Sequence, residues 1–368
     1  MRRNECSGKL RPRLDEKTSA AFAADLTDLQ NEWRAKGFYT GTYTYAAMDG
    51  LIIATLFAIG CAIPQWSLIS GICIGLAVHQ CGRACHEIGH RAGIFSVQQL
   101  PNESVYRKVL LMMNVCLGFD GELWKRDHRQ HHEYTMHESD VQIKSDYLPV
   151  FSHHLEVVRN VLKNPEESAV FKWIISNQHT AWLVVVLLFA KWNKLIIDFI
   201  EASEISRDLV RRRCALLIHF AVMVYCHARA ASPLMFFLAF NFCTGMLHLQ
   251  LLFNHLETEH HENGDVNDKA QQVVHSINYS SSCELERYFH CSLANQIEHH
   301  VDPKIPSERL AVIEQDVRIL CAKHKLPYTE KNFFRMVWNY TLRLQKTAFE
   351  AGKEARNIAR RRSSTQYD

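Results

Sequence analysis

Three imidazoles fall within five residues at His128-Arg129-Gln130-His131-His132, a density with little ordinary structural use. On a helix His128 lies one turn from both His131 and His132, so at least two rings share a face. That spacing suits metal ligation, and the competing reading of this cluster alone is a solvated polar turn. It does not stand alone. His86-Glu87-Ile88-Gly89-His90 precedes it, with histidines at i and i+4, and Gln296-Ile297-Glu298-His299-His300 follows with an adjacent pair. Seven imidazoles in three clusters exceed the four or fewer protein ligands that one zinc ion takes, so two metal ions are the economical explanation.

Two other chemistries compete for these residues. The first cluster spells HExxH, the zinc-protease signature in which two histidines bind metal and the glutamate activates water. Gly93 falls where the longer HExxHxxGxxH pattern wants glycine, but its third ligand position is Ser96. That reading also leaves the other two clusters without a role. A histidine-rich metal transporter would carry its ligands within apolar spans, whereas these clusters sit at the ends of apolar blocks.

The clusters extend from residue 86 to residue 300 of 368, which predicts one integrated unit although the length alone allows two or three domains. Hydrophobic residues make up 47% and charged residues 22%, an average that conceals blocks. Tyr43 to Ile63 is a stretch of about 20 mostly apolar residues with Asp49 as its one charge, near the length that crosses the hydrocarbon core. After Pro64 and Gln65, Trp66 to Val78 leads through His79 and Cys81 into the first cluster, which predicts a helical hairpin. Val109 to Phe119 is too short to span and reads as a buried or interfacial helix. Residues 133–176 read as a solvated cap. Ala181 to Ala190 is intensely apolar but bounded by Lys191, Lys194 and Asp198, and Cys214 to Cys226 with Pro233 to Phe253 make a second hairpin. Ligands of one centre must share a side of the membrane, so an even number of crossings separates the second cluster from the third. The preferred solution is two crossings after residue 210, with 181–190 not crossing. In the alternative, residues 181–200 form one span and 214–253 the other.

The formal charge of +3 is too small to point to nucleic acid. Basic runs at Arg2, Arg3, Arg11 and Arg13, at Arg211 to Arg213 and at Arg360 to Arg362 serve as topology markers in a membrane protein. Twelve cysteines without a CxxC pair read as free thiols in a reducing compartment. Met1 to Leu10 lacks the apolar region of a cleavable signal peptide.

The three clusters, as H-x-x-x-H, H-x-x-H-H and Q-x-x-H-H in order, resemble the membrane fatty-acid desaturase family, and the glutamine at 296 resembles its front-end members. Trp124-Lys125-Arg126-Asp127, Asp140, Asn177-Gln178-His179 and Asn254-His255 also look like family positions. The resemblance covers about residues 40–310 and implies an all-α integral membrane protein of helical hairpins, about four spans, with a cytosolic helical cap around a histidine-rich di-metal site. It implies two irons, with O2 as co-substrate, ligated by His86, His90, His128, His131, His132, His299 and His300, and by His255 as an additional family ligand. Gln296 is expected at the catalytic centre, ligating weakly or holding a water. His153, His154, His219, His227, His248, His260 and His261 are expected to be bystanders.

An unactivated C–H bond has no acidic proton for a general base to take, so its cleavage calls for a metal–oxygen oxidant, and neutral imidazole suits iron. Glu87, Glu298 and Asp140 are candidates to orient ligating rings, with plain surface carboxylates as the competing reading. The substrate expected is an acyl chain on coenzyme A or a lipid, in a narrow apolar tunnel between the hairpins. The same site could hydroxylate, ketolate or epoxidise instead. Front-end relatives often carry a fused cytochrome b5 domain; no haem-binding His-Pro-Gly-Gly occurs here, so electrons are expected from a separate donor, cytochrome b5 or a ferredoxin. Glu87 in place of the usual aspartate, and Val301-Asp302-Pro303 after the third cluster, depart from the family pattern. Residues 1–40 read as a polar lead with an amphipathic helix over Ala20 to Lys36, residues 41–345 as the membrane desaturase domain and 346–368 as a charged tail. The endoplasmic reticulum membrane, with the site facing the cytosol, is the expected location in a eukaryote.

Overall fold

Helices in this chain begin where a short polar side chain accepts from the next turn's unpaired N–H groups. Thr42, Asn102, Asp120 and Asp268 each do so, opening four of the helices. The computed structural model describes residues 14–137, 140, 151, 155–164, 166–200, 207–256, 258 and 268–364. In order these hold α1 (Glu16–Ala35), α2 (Tyr43–Ala62), α3 (Ser67–Gly89), α4 (Glu103–Leu117), α5 (Gly121–Glu133), α6 (Leu155–Lys163), α7 (Ala169–Ser176) and α8 (Gln178–Ile200). There follow α9 (Arg207–Arg229), α10 (Pro233–Leu256), α11 (Lys269–Val274), α12 (Glu284–His290), α13 (Gln296–Val301), α14 (Ser307–Lys323) and α15 (Phe333–Ser364). A two-stranded parallel ladder, β1 (Asn278–Tyr279) with β2 (Glu330–Lys331), pairs Asn278 with Glu330. Among the described residues the protein is all-α but for that ladder. Met1 to Leu10, His153, His154, His260 and His261 lie outside the described residues.

Among the described residues three helices, α2, α3 and α10, are long and apolar enough to cross a membrane. Only 11% of the most apolar window of α2 is buried, and Leu51, Ile59, Leu68, Ile69, Leu217 and Phe242 stand exposed around the bundle, a belt that water would not tolerate and a bilayer accepts. Helix α9, which the sequence reads as a further crossing, is not among those three. Its charged residues lie at its ends, with none between Arg213 and Arg229, and long arginine stems can reach the headgroups. At one end Arg212 pairs with Asp120, and just past the other end the Ala231 N–H donates to the Pro64 carbonyl in the turn between α2 and α3. Helix α8 is also outside those three. Its Trp182 packs against Phe253 near the end of α10, and at its far end Asp198 accepts from the Asp120 N–H, beside which α9 begins. Of the two crossings that the sequence prefers after residue 210, α10 is long and apolar enough to span. Lys191, Lys194 and Asp198 are not boundary charges: all three are buried, Lys194 paired with Asp198 and Lys191 donating to the Leu117 carbonyl.

Close helix contacts fix the bundle. A Cβ on Gly245 of α10 would stand 2.2 Å from the Leu187 carbonyl oxygen of α8. Gly118, at φ 76°, ends α4 in the left-handed conformation that glycine adopts without strain. The residue just before Asp120 is Phe119, so this turn sets where α5 and its three histidines start.

Helix α1 is longer than the sequence predicts and is no detached lead. Phe22, Leu26 and Trp33 are buried with Ile297, Val301 and Ile313 in the cap, each such side chain contributing on the order of 2 kcal/mol. Helix α15 likewise runs through the expected tail to Ser364, with Ala351 packed on Val158 and Ile175.

Candidate metal centre

Four segments bring eight imidazoles together at the membrane edge. The last turn of α3 and the residue after it carry His86 and His90, α5 carries His128, His131 and His132, the last turn of α10 carries His255, and α13 carries His299 and His300. One group joins His86, His90, His128 and His299, whose donor atoms lie within 4.8 Å of one another; His131, His255 and His300 make a second. His132 belongs at the edge of the first, its Nε2 3.3 Å from that of His128 and 3.0 Å from that of His299, while His86 and His128 Nε2 stand 3.0 Å apart. The His132 ring also stacks on His300 of the second group, centroids 4.2 Å apart, so the two groups adjoin.

Hydrogen bonds on the far sides of the rings show what the near sides offer. His131 Nδ1 lies 2.9 Å from Asp140 Oδ2, and His255 Nδ1 lies 2.7 Å from the His275 carbonyl oxygen. Both partners accept, so each Nδ1 carries the hydrogen and each Nε2 presents a lone pair. Those two Nε2 atoms face each other at 3.2 Å, an unfavourable contact that a shared cation converts into ligation. Nitrogens about 2.1 Å from a common ion stand about 3.0 Å apart at a right angle and about 3.4 Å apart at a tetrahedral one, so the spacing fits. His90 Nε2 and His300 Nε2 are buried without a hydrogen-bond partner. Burial, reinforced by neighbouring imidazoles, pushes His132, His299 and His300 well below the ordinary histidine value, keeping them in the neutral ligating form. Both groups can hold a metal ion.

The flanking groups divide. Asp140 orients His131 as the sequence suggests and also accepts from the Met136 N–H at 2.9 Å. Glu87 does not orient a ligating ring: its Oε1 accepts from the Ser307 N–H at the start of α14. One residue on from His86 is about 100° around the helix, so the carboxylate is carried off the histidine face. That hydrogen bond ties the carboxylate to the start of α14. Glu298 also turns away, accepting from Asn278 Nδ2 and Tyr328 OH. It ties α13 into the cap instead. Gln296 reaches the second group, Nε2 3.2 Å from His255 Nε2, with Oε1 unpartnered; turned over, the same amide presents its oxygen. His248 lies against Phe119, His219 against Lys191 and His227 against Phe236, outside both groups. Sequence reasoning missed the His275 carbonyl, since a backbone acceptor leaves no signature in residue types. Trp124 stacks on His128, centroids 4.5 Å apart. Beside His86 lies a small cavity of about 20 Å³, lined mainly by Leu117, Phe119, Trp124, Leu247 and Leu251, with Arg83 also on its wall.

Comparison with known proteins gives this geometry a family. A family model described as fatty acid desaturase matches residues 61–332. The chain is 25% identical to the Delta(5) fatty acid desaturase fat-4 of Caenorhabditis elegans, over 94% of this chain and 78% of that protein. It is 22% identical to the Delta(8)-fatty-acid desaturase of Borago officinalis, over 87% of this chain and 74% of that one. A Delta 8-(E)-sphingolipid desaturase of Kluyveromyces lactis is 24% identical over 88% of this chain and 58% of its own. The matched region takes in every histidine of both groups and well over half of the sequence, and this membrane-embedded oxidoreductase belongs to the fatty acid desaturase family.

Proposed function

We propose that the protein desaturates a fatty acyl chain, carried by coenzyme A or a lipid, at two irons with O2 as co-substrate, and that it acts in the front-end manner, between an existing double bond and the carboxyl end. The observation that carries this reading is the pair of Nε2 lone pairs of His131 and His255 meeting at 3.2 Å beside a second, larger nitrogen cluster. His86, His90, His128, His132 and His299 would hold one iron, and His131, His255 and His300 the other, with Gln296 at its edge. Bound iron would supply the oxidising chemistry, coupling reduction of O2 to removal of one hydrogen from each of two neighbouring carbons. The relatives' names, which place the bond at Delta(5) or Delta(8), and the glutamine at 296 support the front-end assignment.

The chain's own residues prepare that chemistry. Asp140 and the His275 carbonyl hold the protons of His131 and His255 at Nδ1, so neither ring turns its N–H inward. Trp124 fixes the plane of His128 and, with Leu247 and Leu251, walls the cavity against water. Anchoring the first-cluster histidines at the end of α3 and His255 at the end of α10 limits how far the cage can reorganise. A separate donor, cytochrome b5 or a ferredoxin, would supply the electrons. In a eukaryote the histidine side of the membrane would be the cytosolic face of the endoplasmic reticulum. We assign residues 41–345 to the catalytic domain, with the flanking helices as its cap.

Expression in a host fed unsaturated acyl chains, with lipid mass spectrometry, tests the assignment. A product two mass units lighter, absent with His131→Ala, is expected; one sixteen units heavier would mean hydroxylation. Glu87→Gln should keep desaturase activity within about threefold, because its amide oxygen can still accept from Ser307 at a modest net cost. Loss of all activity in that variant would revive a catalytic Glu87. Asp140→Ala should weaken metal retention about 10- to 100-fold, read as the chelator concentration that strips the purified protein. Unchanged retention would mean that Asp140 does not tune His131.

A further inference from the structure

The outermost helix of the cap leaves one of its faces uncovered. Helix α15 buries Phe333, Met336, Tyr340, Leu344 and Ala351 against the protein, yet Phe334, Trp338, Leu342 and Phe349 are exposed, Trp338 by 63%. At 3.6 residues per turn these four fall within an arc of about 80° and run about 22 Å along the helix. Arg335, Lys346 and Lys353, all exposed, fall along one margin of the arc. The other margin holds Thr341, whose hydroxyl accepts from Trp182 Nε1 of α8 at 3.1 Å. From there the apolar surface continues onto the outer face of α8, where Val184, Val185 and Phe189 are exposed.

We infer that α15 lies in the plane of the bilayer interface on the histidine side, its Phe334–Trp338–Leu342–Phe349 face sunk among the acyl chains and its basic margin on anionic headgroups. Three observations select a lipid surface as the occupant. The stripe is continuous with the face of α8, which runs against the spanning helix α10. Its level is the membrane boundary, because Trp182 and Tyr340 both pack on Phe253, near the end of that span. Its composition, large aromatic residues with a one-sided lysine and arginine border, is that of interfacial helices. The exposed Val170 and Trp173 of α7, which packs beside α15, extend the same surface. Burial in the interface would hold the cap level with the entrance for a membrane-borne acyl chain.

The test uses the full chain in vesicles of phosphatidylcholine and phosphatidylserine, with or without acyl chains brominated near the headgroup. The emission of Trp338 is the difference between the native chain and Trp338→Phe, a change mild enough to preserve folding. Brominated lipid should remove most of that emission, and acrylamide in the water should leave most of it. A second reporter, Leu342→Trp in the Trp338→Phe background, should behave alike. Ready quenching by acrylamide without quenching by brominated lipid would overturn the inference in favour of a solvated helix. Protection from both quenchers would overturn it in favour of a protein partner on this face.

Discussion

Replacing His255 with alanine is expected to abolish desaturation and to cost the purified protein about one of two bound metal ions. Among the described residues the second nitrogen group has only His131, His255 and His300, with the Gln296 amide at its edge, so it has no imidazole to spare there. Losing a partner that merely orients a ligand costs about 10- to 100-fold in affinity or activity, and losing the ligand itself should exceed that. In the five-imidazole group, by contrast, His90 is only partly buried, and His90→Ala should leave more metal in place. Metal analysis beside product yield separates these cases. If the His255→Ala protein kept both its metal and its activity, the division of the histidines into two groups would be wrong.

Asp198→Ala should be among the most damaging changes away from the histidines. Lys194 is 2% exposed and its Nζ lies 2.7 Å from the Asp198 carboxylate. Removing one member of such a buried pair typically costs about 3–5 kcal/mol, because the remaining charge is left in a poor solvent. The Asp120 N–H would lose its acceptor as well, at the turn from which α5 carries three histidines. The double variant Lys194→Met with Asp198→Leu should recover much of the loss, since an apolar pair of similar volume needs no charge compensation. Thermal inactivation midpoints in detergent measure both. A single variant as stable as the native chain would show that the pair is not what anchors the turn.

The gathering of the histidines was legible because ligation would impose a spacing that survives in one dimension: i,i+4 at His86 and His90, i,i+3 and i,i+4 in the second cluster. His255 has no such companion, and only a family resemblance singled it out. Glu87 and Glu298 misled for a physical reason. Proximity in sequence to a ligand is not proximity in space, because the next residue on a helix points elsewhere. Asp140, eight residues beyond His132 and past a turn in which Met136 takes φ 60°, was the carboxylate that came back. Three of the spans were legible as apolar blocks. Lys191, Lys194 and Asp198 looked like limits on burial because their partners, Leu117 and Asp120, come from a distant stretch. The packing of α1 into the cap was illegible in the same way: its amphipathic pattern was plain, and the surface it covers was not.

The eight imidazoles have one more consequence. They come from two membrane helices, α3 and α10, and from α5 and α13 beyond the membrane, so each ion would tie together parts of the chain that are far apart in sequence. A ligand that binds only the folded form, present at about 100 times its dissociation constant, adds about 2.7 kcal/mol per site. Marginally stable proteins are cleared by cellular quality control when a few kilocalories are withdrawn. The cell's supply of that metal would then set how many copies of the enzyme survive as well as how fast each one works, and scarcity would lower the amount of protein before any change in its synthesis.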